Sequence, residues 1–157
     1  MEYKKILIAE LNKLLKGGTA HANLKDAVAN LPFHLLGETP NNLPYSIWQL
    51  VEHIRIAQCD MLEFSRDGHH KSPKWPDDYW PKESAPKDAK EWDNSLKQID
   101  VDLEAFIDLV ESKDLFEQIP HGSGQNILRE ALQIADHNAY HIAEIIVIRR
   151  LLNAWKS

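Results

Sequence analysis

Four long segments repeat apolar residues at helical spacing, and this pattern more than any other restricts what the chain can fold into. The clearest places Trp92, Leu96, Ile99, Leu103, Phe106 and Val110 three to four positions apart, so all six fall on one face of a helix opening near Asp88. Its other face carries Lys90, Asp93, Asp100 and Asp108 and is expected to meet solvent. A first helix is predicted from about Tyr3 to Lys16, with Leu7, Leu11 and Leu14 as its stripe and Gly17-Gly18 as its stop. A shorter helical piece follows a cap at Asn23 and runs through Leu24 and Val28 to a break before Pro32, and Phe33 to Leu43 reads as a connection.

The second long helix has a sharper start. Ser46 and Gln49 form an S-x-x-Q capping box, and Ile47, Leu50, Val51, Ile54, Ala57, Met61 and Phe64 carry the helical period toward Asp67, with His53 at the border of the stripe. The last helix is predicted from about Asn126 to Ala154. Between Gly68 and Lys87 four prolines forbid a regular helix, yet Trp75, Tyr79 and Trp80 are too apolar for a solvated linker. That stretch is expected to be an ordered, irregular crossover that packs on the helices and roofs a cavity. No strand alternation, internal repeat or low-complexity tract is visible. The expected fold is therefore all-α, a four-helix bundle with a long irregular crossover between its second and third long helices, forming one domain over residues 1–157.

Composition narrows the function. With 157 residues, 43% hydrophobic and 27% charged, the chain has the make-up of an ordinary globular protein rather than a disordered one. A net charge of −6 disfavours nucleic acid as a partner, which a basic patch would attract. Neither a signal core nor a run of about 18 apolar residues is present, so no membrane partner and a cytoplasmic location are expected. The lone Cys59 makes no internal disulfide and sits well off the face of His53, where it reads as packing.

The chemistry-bearing residues are histidines. His137 and His141 lie four residues apart on the last helix, so their imidazoles project from one face one turn apart. They share the stripe of Leu128, Ile134, Ile145 and Ile148, where an imidazole without a ligand has to satisfy both ring nitrogens in apolar surroundings. His53, on the other long helix with a histidine at its apolar edge, completes a three-histidine set of the kind that holds a divalent transition metal with positions left for water or substrate. The competing reading is three partly buried histidines bonded to carbonyls or carboxylates. Glu144, three residues beyond His141, reads as a group orienting an imidazole, a general base, a fourth ligand, or a surface carboxylate paired with Arg149 or a lysine. His21 and His121 lie in loops able to reach one end of a bundle, whereas His34, His69 and His70 carry no spacing signal. Gly122-Ser123-Gly124 lacks the preceding strand and the last glycine of a nucleophile elbow.

Two regions carry a resemblance. Leu128-Arg129-Glu130-Ala131-Leu132, Ala135-Asp136-His137-Asn138-Ala139-Tyr140-His141 and Ile148-Arg149-Arg150-Leu151-Leu152, together with Leu43-Pro44-Tyr45-Ser46-Ile47-Trp48-Gln49-Leu50 and Glu52-His53, resemble the DinB/YfiT-like metalloenzyme family over nearly the whole chain. The resemblance implies a helical bundle, frequent homodimers, and a divalent metal such as Zn²⁺ or Ni²⁺ on His53, His137 and His141. It also implies activity on a small-molecule substrate, either as a thiol S-transferase using a low-molecular-weight thiol or as a hydrolase. Ala143-Glu144 departs from the small residue and glutamine frequent in relatives, and a carboxylate there makes the site more anionic. The alternative class is a non-catalytic binding or stress-response accessory whose metal is structural or vestigial.

Overall fold

The computed structural model describes residues 2–155. Five α-helices follow one another as α1 (Glu2–Lys16), α2 (Leu24–Val28), α3 (Ile47–Arg66), α4 (Ala89–Ser112) and α5 (Ile127–Leu151), with single 3-10 turns at Phe33–Leu35, Pro40–Asn42 and Asp77–Tyr79. Among the described residues there is no β-strand, and the fold is all-α. None of the described helices is long and apolar enough to cross a membrane.

Helix starts are set by side chains that satisfy the free N–H groups of the first turn. Ser46 Oγ accepts from the Gln49 N–H while Gln49 Oε1 accepts from the Ser46 N–H, and Asn23 with Asp26 repeats the arrangement at α2. Asp88 and Asn126 cap α4 and α5 from one side only. At the other end of α1, Gly17 takes φ +67° and returns its N–H to the Lys13 carbonyl. The last helix ends at Leu151 rather than near Ala154, because Asn153 adopts φ +54° and a Schellman pair forms: the Asn153 N–H reaches the Arg150 carbonyl and the Ala154 N–H the Arg149 carbonyl.

α1 and α3 each pack against both α4 and α5, which places the four long helices around shared apolar layers. The α1 stripe differs from its expected register: Leu11 and Leu15 are buried, whereas Leu14 is 47% exposed. A step of four from Leu11 stays on the inner face better than a step of three. Buried apolar residues divide into two clusters. One gathers Leu11, Leu15, Met61, Leu62, Phe106 and Ile134, the other Ile47, Leu50, Ile54, Ile99, Ile142 and Ile145. On α5 the first cluster ends at Ile134 and the second begins at Ile142, so His137, Asn138 and His141 occupy the seam.

Gln58, fully buried, bridges that seam by donating to the Ile99 carbonyl at 2.7 Å and accepting from Asn138 Nδ2 at 2.9 Å. The crossover is irregular, as expected, and is tied back onto α3. Ser46 Oγ donates to the Ser84 carbonyl, and Tyr79 Oη donates to Asp60 Oδ2 at 2.6 Å.

Candidate metal centre

Three histidines meet at the seam. His53 on α3 and His137 and His141 on α5 offer ring nitrogens that all lie within 4.8 Å of one another, and His53 Nε2 stands 3.0 Å from His137 Nε2. His53 is only 2% exposed, so it is a core residue rather than a border one. Its helix neighbours Ile54 and Leu50 bury the same side of α3, and Trp80 from the crossover closes over what periodicity alone places at the edge.

The outer nitrogens of two of the rings are committed elsewhere. His53 Nδ1 lies 2.9 Å from the Tyr79 carbonyl, which only accepts, so the proton sits on Nδ1 and the Nε2 lone pair faces inward. His141 Nδ1 lies 2.7 Å from Glu144 Oε2, and donation to that carboxylate has the same effect. The outer nitrogen of His137 makes only a long 3.5 Å approach to Asn138 Oδ1. Glu144 thus touches an imidazole, and not Arg149, whose guanidinium is buried on the carbonyls of Ala27, Ala29 and Ala154.

Aromatic rings brace the cluster. Trp80 is sandwiched, with its ring 3.9 Å and 3° from that of His53 on one face and 3.9 Å and 8° from that of Tyr45 on the other. His141 meets the His53 ring edge-on at 4.6 Å, and Tyr140 meets His141 edge-on at 5.0 Å. A cleft of about 530 Å³ opens onto the three histidines between Trp75, Trp80, Tyr45 and Tyr140, with Asp136 and Gln133 as further polar walls. The crossover therefore roofs a cavity, as its composition led one to expect.

Burial sets the charge state. It pushes His137 down to about 4, with the neighbouring His141 and His53 adding to the effect, and pushes His141 down to about 4 with help from His53. His53 is lowered by burial too, against the opposing influence of the Tyr79 carbonyl and Glu144. At neutral pH all three rings are uncharged, and His141 with Glu144 forms a hydrogen bond from a neutral imidazole rather than an ion pair. Glu144 itself is raised by burial.

The spacing of two of these donors matches that around a single divalent transition ion. Two nitrogens each about 2.0–2.1 Å from one ion stand roughly 2.8–3.4 Å apart for right-angle to tetrahedral bond angles, and the 3.0 Å separation of His53 and His137 lies inside that range. Neutral imidazoles are ligands that zinc, nickel, copper and iron accept alike.

The loop histidines stay outside the cluster. His21 is exposed against the Ala22 carbonyl, and His121 Nε2 donates to the Phe64 carbonyl, 2.7 Å away. Sequence spacing found the three ring nitrogens but missed Tyr79, Trp80 and Tyr45 as their supports. The one available signal was the unusual density of aromatics in the crossover.

The family model of the DinB superfamily matches residues 18–145, a span containing His53, His137, His141 and Glu144. No curated protein and no solved structure matches the chain significantly. By that match, which covers most of its length, the chain belongs to the DinB superfamily.

Proposed function

We propose that the chain is a metal-dependent enzyme whose His53, His137 and His141 hold a divalent transition ion, Zn²⁺ or Ni²⁺. Its reaction is attack by a water or a low-molecular-weight thiol on a small electrophilic substrate. The observation that carries the reading is the inward convergence of three neutral ring nitrogens, two of them with their protons tied to outside acceptors. When bound, such an ion supplies Lewis acidity, enough to bring a water near pKa 7 or to stabilise a thiolate.

The chain's own residues do the rest. Tyr79 and Glu144 hold the His53 and His141 rings in the donor tautomer, so Glu144 acts through His141 as a positioning residue. Trp80, Tyr45 and Tyr140 exclude water from two sides of the cleft and give a substrate flat apolar walls. Three protein ligands leave a coordination position free, which favours catalysis over the four-ligand pattern of structural zinc.

Elemental analysis of protein purified without a histidine tag tests the metal. About one ion per chain, absent from His137→Ala, is expected. Equal metal in the variant, or none in either, leaves only hydrogen-bonded histidines. A screen for conjugation of common low-molecular-weight thiols to electrophiles, and for hydrolysis of the same electrophiles, with and without chelator, then separates enzyme from accessory protein.

A further inference from the structure

A second concavity lies beside the histidine cleft. It has a volume of about 300 Å³, at the lower end of small-molecule pockets, and its walls are Leu43 and Pro44 from the segment before α3, Leu50 from the first turn of α3, and Ala143, Val147 and Ile148 from α5. Tyr45 and Tyr140 belong to both spaces, so the two rings form a shared wall with the histidines on one side and aliphatic side chains on the other. The groove has one charged residue, Glu144, and that carboxylate is engaged with His141. Val147 and Tyr140, at 48% and 64% exposed, leave apolar surface open to water along it.

We propose that this groove is a specificity subsite that takes an aliphatic or aryl arm of the substrate, whose reactive polar head lies among the three histidines. The substrate class is thus an amphipathic small electrophile, polar at one end and carrying an arm of several carbons. This rests on the metal-site reading of the cleft. A small molecule is favoured because the groove is concave and shares Tyr45 and Tyr140 with the histidine cleft, an adjacency that a macromolecular partner does not need.

A homologous series of n-alkyl hydroxamates, from acetohydroxamate to octanohydroxamate, tests it by titration calorimetry into zinc-loaded protein. Affinity should tighten with each added methylene, by at most roughly fourfold per step. Val147→Asp and Ala143→Phe alter exposed positions that the fold does not need, and each should flatten the series, with acetohydroxamate as the internal reference. Chain-length dependence that is absent from the native protein, or unchanged in both variants, overturns the subsite. So does a Val147→Asp protein that loses self-association while keeping the native series, since the groove is then a contact between copies. Loss of zinc together with all hydroxamate binding marks failure of the metal reading instead. The groove is then judged with 8-anilinonaphthalene-1-sulfonate on metal-free protein: fluorescence enhancement abolished by Val147→Asp supports an apolar subsite, and enhancement that survives it overturns one.

Discussion

Replacing Glu144 by alanine should weaken metal binding without unfolding the protein, and the size of the effect follows from its position. Glu144 Oε2 takes the His141 Nδ1 proton at 2.7 Å, which holds the ring in the tautomer that turns Nε2 inward and makes that nitrogen more basic. Removing such an outer acceptor typically costs about 10–100-fold in metal affinity, or about 1.4–2.7 kcal/mol. The same carboxylate side chain is 37% exposed, so its pairing contributes only about 0–1 kcal/mol to the metal-free fold. Glu144→Gln keeps an amide oxygen as acceptor but loses the charge, and should fall between native and alanine. Competition with a chromogenic zinc chelator measures the affinities, and urea unfolding of the metal-free forms measures the fold. A double-mutant cycle with His141→Ala completes the test, because Glu144 acting through His141 adds nothing once that ring is gone. An alanine variant within twofold of native affinity would refute the reasoning. So would a double variant that loses the full sum of the two single effects.

Trp80→Ala removes two stacked ring pairs, each typically about 0.5–1.5 kcal/mol, and should cost about 1–3 kcal/mol in urea unfolding together with a measurable loss of zinc affinity through the freed His53 ring. Gln58→Leu leaves the Asn138 amide without its partner inside the core and takes the second donor from the Ile99 carbonyl, for an expected loss of about 1–3 kcal/mol by the same assay. Burial, with a smaller push from Asp60 and opposed by Arg129, raises the Glu130 carboxyl above its ordinary value of 4.5. The folded chain therefore holds that proton more tightly than the unfolded one, a contribution complete below the ordinary value and lost as pH rises through the folded value. Glu130→Gln should accordingly be more stable than the native chain at about pH 7 and not at about pH 4, as read from urea midpoints at each pH. Equal midpoints at neutral pH would contradict the assignment.

Most of the scaffold can be read from the chain because its signals are local. The Ser46–Gln49 box, the Asn23 cap and the 3–4 spacing of Trp92 to Val110 act within one or two turns, where sequence separation and spatial separation coincide. Choices made by packing were harder. Whether Leu14 or Leu15 faces inward depends on the rotation of α1 against α4 and α5, and the end of α5 depends on Asn153 taking a left-handed conformation. The site divides the same way. His137 and His141 are one turn apart on one helix, so their convergence is visible directly, whereas His53 became a partner only through the pairing of α3 with α5. Nothing in the spacing identifies a backbone carbonyl as the acceptor for His53, because the Tyr79 oxygen arrives from an irregular loop 26 residues away.

That loop explains how buried imidazoles are tolerated at the junction of two apolar clusters. An unbound histidine there gives up hydration at both nitrogens, and burial answers by keeping the ring uncharged, the form that presents a lone pair. The remaining N–H of His53 still needs an acceptor, and it finds one outside the helices. The crossover supplies one from outside the helical hydrogen-bond pattern: Tyr79 is fixed by its hydroxyl on Asp60, itself hydrogen-bonded by His70 Nε2 at 2.7 Å, and its carbonyl is thereby set 2.9 Å from His53 Nδ1. Trp80, the next residue, lies flat on the same ring. Two consecutive loop residues thus constrain His53 at its edge and its face, removing the freedom that a ligand would otherwise lose on binding. A chain with the same helices and a flexible crossover would keep its three histidines, yet lose the contacts that hold the His53 ring toward the other two.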